Sequence, residues 1–270
     1  MDIIKIIQGI FLGIVQGFTE PLPISSSGHL LIIKNLFNFN MLNDINFEII
    51  ANFGSFIAIT FLYRKKILNI IKDFYSYTRY KKKKSLINYN YFWAIIIGTI
   101  PAGIFGLVLK EKIDLISNNV KLVGIALLIT AFSLFLIRNS NGKKEKNDLS
   151  KKDALCIGLF QTIALLPGIS RSGTTIFGSM LLGFKKSTAV DYSFMLYLPI
   201  SAATMVLGIK DLMQDSNITS LLLPYILGMI SSMIITYFSA KWFIDIVKKG
   251  KLEYFSIYCI IVGLITIIFL

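Results

Sequence analysis

Residues 16–29 read QGFTEPLPISSSGH and residues 161–174 read QTIALLPGISRSGT. Set against each other without a gap, Gly13, Gln16, Ile24, Ser25, Ser27 and Gly28 match Gly158, Gln161, Ile169, Ser170, Ser172 and Gly173. Chance likeness between oily segments produces Leu and Ile matches, not Gly, Ser and Gln. The first copy carries Glu20 and the single histidine, His29; the second carries Arg171.

The surroundings of the two copies set their meaning. Of 270 residues 54% are hydrophobic and 16% charged, more apolar side chains than a soluble core of this length buries. A bilayer is therefore the expected solvent. A spanning helix needs about 20 mostly apolar residues, and six segments qualify or nearly so: 46–63, 92–109, 120–137, 188–209, 218–238 and 254–270. The net charge of +13 is not spread evenly, because Lys and Arg crowd 64–91, 138–153 and 239–252. Such clustering between apolar segments marks cytoplasmic loops. The alternate connections, 38–45, 110–119 and 210–217, hold five acids against three Lys and fall outside. The basic stretches carry no recognisable nucleic-acid motif, so no nucleic acid is expected as a partner. Cys156 and Cys259 show neither metal nor redox spacing. Residues 2–19 lack the charged n-region and small-residue cleavage site of a signal peptide, and are read as retained.

Two apolar regions remain, 3–37 and 154–183, each broken near its middle by Pro, Gly and Ser. The second follows an inside loop and must end inside, before Lys185 and Lys186, so it dips in and turns back; by the same alternation 3–37 begins and ends outside. Broken backbone at membrane depth is tolerated where protein or water covers it. The expected fold is an all-α polytopic membrane protein with six transmembrane helices and two re-entrant helix pairs in an inverted-topology repeat. It forms one integral domain, with halves 1–137 and 154–270 joined by the cytoplasmic loop 138–153. Inverted repeats bring their broken helices together near the midplane, where polar sites are built.

Glu20 and Arg171 are each isolated among apolar residues. Either one costs ~2.5 to 3.5 kcal/mol at a helix centre, so pairing them relieves both. A purely structural ion pair would do the same. The neighbourhood favours a site: Ser25, Ser26, Ser27, Gly28 and His29 follow Pro23, and Ser170, Arg171, Ser172, Gly173, Thr174 and Thr175 follow Pro167. Two helix N-termini and a guanidinium make a seat for an anion with several oxygens. Taken alone, the Ser and Gly residues would read as close helix packing. Ser26 and His29 lie three apart, as Gln16 and Glu20 lie four apart, so each pair shares a helical face, and a hydroxyl beside an imidazole can act as a nucleophile. Asp191 is read as a capping or interfacial acid. No P-loop, dinucleotide fingerprint, zinc spacing or HExxH run is present.

Gln16-Gly-Phe-Thr-Glu20 with Leu22-Pro-Ile-Ser-Ser-Ser-Gly-His29, and Leu166-Pro-Gly-Ile-Ser-Arg171-Ser-Gly-Thr-Thr175, resemble the paired motifs of the undecaprenyl-diphosphate phosphatases of bacterial inner membranes, the bacitracin-resistance type. Weaker likeness appears in Phe47-Glu-Ile-Ile with Leu62-Tyr-Arg64, in Ile100-Pro-Ala-Gly and in Asp191-Tyr-Ser-Phe with Leu198-Pro199. The resemblance implies hydrolysis of the terminal phosphate of a C55 isoprenyl diphosphate at the outer face, with Mg2+ or Ca2+ as cofactor. It releases the monophosphate carrier used for cell-wall precursors. It implies Glu20, Ser26, His29 and Arg171 as catalytic residues. Ser25, Ser27, Gly28, Ser170, Ser172, Gly173, Thr174 and Thr175 then contact substrate, and Glu20 with Gln16 faces the cation. Gln16 stands where the family often has Glu, Ser27 where Thr is common, and Asn52 where Gln is usual. The expected partners are the lipid diphosphate, the bilayer and, as an open case, a second copy of the chain in a homodimer. Ser26 as nucleophile with His29 as its base, and His29 as nucleophile, both stay open. The reading from another class is a transporter or flippase for a lipid phosphate or other anion, since inverted repeats with broken helices are chiefly a transporter design.

Overall fold

The computed structural model describes residues 3–37, 39, 45–109, 113, 119–214 and 218–270. Its regular structure is helical: α1 (Ile3–Thr19), α2 (Ser26–Phe37), α3 (Ile45–Tyr80), α4 (Leu86–Val108), α5 (Val120–Ile137), α6 (Lys151–Ile163), α7 (Arg171–Leu181), α8 (Lys186–Gln214), α9 (Ile218–Lys248) and α10 (Glu253–Phe269), with short 3-10 turns at Lys83–Ser85 and Lys146–Asp148. Five stretches are long and apolar enough to cross a membrane: Asn46–Tyr80, Lys83–Val108, Val120–Ile137, Lys186–Ile209 and Leu221–Lys248. Together with a surface on which Phe, Ile and Leu lie exposed along most helices, they make this a multi-pass membrane protein. The remaining expected span is α10, 17 residues long. At 1.5 Å per residue it reaches about 26 Å, somewhat short of a hydrocarbon core of about 30 Å.

One expectation changes. The basic stretch 64–91 is not a loop but mostly helix, since α3 runs on to Tyr80 and α4 begins at Leu86. Nothing between Arg64 and Tyr80 breaks a helix, Lys and Arg favour helices, and their long stems let the charge reach water while the backbone continues. The chain turns at Lys81, whose φ of 52° is left-handed. Likewise α9 continues through the basic residues to Lys248. Most of the acid-bearing connections 38–45, 110–119 and 210–217 lies outside the described residues.

The two broken regions are helix–break–helix, α1 with α2 and α6 with α7, and each first helix packs on a helix of the other half. Helix α1 crosses α9 so closely that a Cβ on Gly9, Gly13 or Gly17 would lie 2.5, 2.1 or 2.5 Å from the carbonyl oxygens of Pro224, Gly228 and Ser232. Helix α6 crosses α4 in the same manner, a Cβ on Gly158 falling 2.5 Å from the Gly98 carbonyl oxygen. The repeated glycines Gly13 and Gly158 are thus the two crossing points. Small residues are what permit backbones to approach where lipid offers no hydrophobic drive.

A third close crossing joins α5 to α10, where Gly124 and Gly263 each face the other's carbonyl at 2.9 Å from an added Cβ. Helix α3 packs against α8 and α9. Its buried side carries, in order, Asn52, Ser55, Ile59 and Tyr63, one turn apart. Ser55 is hydrogen-bonded to Ser232 (2.9 Å) and Thr236 (2.8 Å) of α9. Below this polar group lies an apolar layer: Ile59 of α3, Phe194 of α8 and Phe243 of α9 are all buried in one core cluster. Phe194 and Phe243 meet edge to face, with centroids 6.2 Å apart. Beyond the layer Asp191 accepts hydrogen bonds from the Tyr63 hydroxyl (2.9 Å) and Lys66 Nζ (2.8 Å), tying α8 to α3.

Candidate active site

The repeated serines and glycines first do a local job. Ser25 and Ser170 precede α2 and α7, and their hydroxyls accept from the N–H groups of Gly28 (3.3 Å) and Gly173 (3.1 Å). Each is a helix N-cap bonded to the third residue of its helix. Ser25 does so from a left-handed φ of 69°, whereas Ser170 has an ordinary φ of −74°. The third position of α2 is tight: a Cβ on Gly28 would be 3.1 Å from Ser25 Oγ and Val123 Cγ1 and 3.2 Å from the Gly168 Cα of the second broken loop.

The two loops therefore touch, and their charged residues meet between them. Arg171 Nη2 donates to Glu20 Oε1 at 2.6 Å, and the Ser172 hydroxyl donates to the Leu22 carbonyl at 3.0 Å. The Glu20 side chain is 8% exposed and that of Arg171 20%, so the pair is largely withdrawn from solvent. The other carboxylate oxygen of Glu20 accepts from Gln16 Nε2 (3.0 Å) and from the Ser26 hydroxyl in a short contact. Three donors from three segments converge on one carboxylate. The Arg171 guanidinium lies over the Tyr197 ring, 4.2 Å from its centroid. Tyr197 is itself held by its hydroxyl, which donates to the Asn52 carbonyl at 3.1 Å, while Ser201 donates to the Asn52 side chain. Asn52 thus anchors the ring on which Arg171 rests.

His29 is built into a different set of contacts. Its Nδ1 is 2.7 Å from the Ser25 carbonyl oxygen, its Nε2 is 2.8 Å from the Tyr258 hydroxyl, and its ring stacks on Tyr258 at 9° between planes. Ser26 is hydrogen-bonded to Glu20 rather than to His29, although the two residues share a face of α2.

The other candidates divide. Ser170 and Ser172 are buried and 3.2 Å apart, and the Ser170 N–H donates to the Thr130 hydroxyl of α5. Thr174 bonds back to the Arg171 carbonyl and borders a small, mostly apolar cavity of about 70 Å³ with Ile129, Phe160 and Phe177. Thr175 is fully buried, its hydroxyl 2.7 Å from that of Ser193 of α8 and within bonding distance of the Arg171 carbonyl at 3.0 Å. Ser27 is exposed. Gln161, the repeat partner of Gln16, is 1% exposed with neither amide atom bonded, because Leu165 stands where the first copy has Glu20.

Among the described residues no group of three or more His, Cys, Asp or Glu could hold a metal ion. A hard cation here would draw on one carboxylate, the Gln16 amide oxygen and ligand phosphate oxygens, a donor set that Mg2+ commonly accepts. The residues fit a cation that arrives with an anionic substrate.

Three residues at the site, Tyr197, Tyr258 and Thr130, were not singled out in the sequence, and Glu48 entered only within the weaker Phe47-Glu-Ile-Ile likeness. The Glu48 carboxylate lies in electrostatic reach of Glu20 and Lys34. Glu48 and Asn52 share a face of α3, which a polar stripe on an otherwise oily helix would have revealed; the two tyrosines sit among many other aromatics and carry no comparable signal.

The family model described as "Bacitracin resistance protein BacA" matches residues 9–265. A Bacillus thuringiensis protein named undecaprenyl-diphosphatase 2 is 45% identical over 265 residues, covering 98% of each chain. Undecaprenyl-diphosphatase 1 of Bacillus licheniformis is 42% identical over 270 residues, covering both chains in full. The undecaprenyl-diphosphatase of Oceanobacillus iheyensis is 41% identical over 267 residues, or 98% of this chain and 97% of its own.

Proposed function

The chain belongs to the bacitracin resistance protein BacA family, and on that footing we propose that it hydrolyses undecaprenyl diphosphate to undecaprenyl phosphate and inorganic phosphate, recycling the lipid carrier of cell-wall synthesis. The observation that carries the reading is the 2.6 Å contact of Arg171 with Glu20, made between two loops with the Ser26 hydroxyl on the same carboxylate.

In the mechanism, Arg171 keeps donors beyond the one given to Glu20, and these bind the terminal phosphoryl oxygens. The caps occupy the N–H groups of Gly28 and Gly173, leaving the first N–H groups of α2 and α7 to add partial positive charge around the same anion. Such fixed charge supplies most of the catalysis in phosphoryl transfer. Ser26 attacks the terminal phosphorus, its proton passes to Glu20, and undecaprenyl phosphate leaves. Water, its proton taken by His29 Nε2, then cleaves the phosphoserine; the Ser26 oxygen regains the proton held on Glu20, and inorganic phosphate is released. A divalent cation, Mg2+ or Ca2+, would be held by Glu20 and Gln16 together with phosphate oxygens and would supply neutralisation of the phosphate charge. Ser25, Ser170, Ser172 and Thr174 shape the loops that present these groups.

The same reading extends to the membrane. The chain has six spans, α10 being the shortest, and two re-entrant pairs in an inverted repeat, within the bacterial inner membrane, with the site open to the outer face. Support comes from the exchange of partners between halves, α1 on α9 and α6 on α4, each crossing at a repeated glycine, and from the α5–α10 crossing, which is its own counterpart. The basic stretches at the opposite end from Glu48 support the orientation.

The test is release of inorganic phosphate from a C15 or C55 prenyl diphosphate by purified protein in detergent, with Arg171→Ala expected to abolish it. Phosphate release by that variant at the wild-type rate overturns the assignment. Trapped phosphoenzyme is expected to be acid-stable, as phosphoserine is; an acid-labile phosphoramidate would transfer the nucleophile's role to His29.

A further inference from the structure

We infer that Tyr258 is the positioning residue of His29: the Ser25 carbonyl keeps the neutral imidazole as the Nδ1–H tautomer, and the Tyr258 phenol caps the exposed Nε2 lone pair and fixes the ring plane. The inference rests on the site reading above, but its geometry is independent of any reaction.

A carbonyl oxygen only accepts hydrogen bonds, so the 2.7 Å contact to the Ser25 carbonyl requires a proton on Nδ1. In a neutral ring Nε2 is then bare and accepts from the Tyr258 hydroxyl 2.8 Å away. The second ring fixes the plane as well, since His29 and Tyr258 stack with centroids 5.6 Å apart. Ser25 is itself committed by its cap to Gly28 and by its buried, left-handed backbone, so its carbonyl cannot swing away to free Nδ1. His29 is buried on α2 while Tyr258 is 41% exposed on α10, two helices drawn from opposite ends of the chain. The helix that carries Tyr258 is itself seated by the Gly124–Gly263 crossing and by Ser256, whose hydroxyl donates to the Ala131 carbonyl.

This arrangement bears on the reaction. Nε2 is the nitrogen through which His29 would exchange a proton or form a bond to phosphorus, and it is reached by displacing the phenol. Tyr258 therefore orients the ring and guards the nitrogen through which it acts, while the Ser25 carbonyl, on the other nitrogen, fixes the tautomer.

A single histidine makes the test direct. Protein labelled with 15N-histidine in detergent gives one pair of ring-nitrogen signals, expected to report a protonated Nδ1 and an unprotonated Nε2 in the neutral form. Tyr258→Phe keeps the stacked ring and removes the hydroxyl; it is expected to shift the Nε2 signal toward that of an unbonded lone pair while Nδ1 stays protonated, with the melting temperature lowered by only ~1–6 °C. Phosphate release by this variant is expected to fall in kcat by ~10–100-fold with KM kept. A wild-type spectrum of the Nε2–H tautomer, or a Tyr258→Phe spectrum equal to wild type, overturns the inference. Absence of phosphatase activity in the wild type would instead sink the functional reading and leave the spectra to decide this one.

Discussion

Removing the Arg171 guanidinium while keeping its bulk, as Arg171→Met, separates what the ion pair does for stability from what it does for catalysis. The carboxylate left behind is 8% exposed, and loss of one partner from a buried pair costs ~3–5 kcal/mol. Glu20 keeps the donors of Gln16 and Ser26, which places the loss near the lower end, about 3 kcal/mol. For a chain of this size that corresponds to a fall in melting temperature of roughly 6–12 °C. Adding Glu20→Gln removes the stranded charge, so the double variant is expected to regain most of the lost stability. Activity follows a different course. Both variants lose the guanidinium to which the proposed mechanism assigns the phosphate, and phosphate release is expected to drop by at least ~100-fold in each. Thermal melts in detergent beside the phosphate-release assay read the two effects. A single variant that melts with wild type, or a double variant no more stable than the single, would refute the pairing on which the site is built.

Two further expectations concern the scaffold. Gly13→Ala drives a Cβ into the Gly228 carbonyl oxygen at 2.1 Å and should destabilise by ~1–3 kcal/mol or more, whereas Gly103→Ala in α4, where an added Cβ meets nothing within 4 Å beyond its own stretch of helix, should stabilise by ~0.5–1 kcal/mol; paired melts check the contrast. Gln161→Leu replaces a buried amide without partners and should raise stability by ~1–3 kcal/mol, while Gln16→Leu, which strips a donor from Glu20, should lower it; a destabilised Gln161→Leu would mean the amide has a partner after all.

Much of this was legible because the motifs are polar in an oily chain. Glu20 and Arg171 stand out by isolation, and the cost of leaving either alone predicts their meeting. The Ser and Gly repeat was legible as a pattern but carried two meanings at once, since Gly13 and Gly158 serve helix crossings and Ser25 and Ser170 serve caps. What stayed hidden is whatever depends on contact between distant helices. Spacing places Ser26 beside His29, yet the fold offers each a better partner, Glu20 for the hydroxyl and Tyr258 for the imidazole. Thr175 belongs to the motif by position and to the α7–α8 interface by contact. Charge clusters located the basic ends of α3 and α9 but not their helicity, because Lys and Arg mark a side of the membrane and say nothing about where a helix stops.

The layer of Ile59, Phe194 and Phe243 has a consequence for the charges on either side of it. It separates the buried acid and guanidinium from the Asp191–Lys66 bridge by little more than one side chain on each of three helices. An ion or hydrated proton drawn in by one charged group would have to shed its water to reach the next. The layer therefore lets ionised side chains stand on both of its sides without joining them into one continuous polar path between the helices.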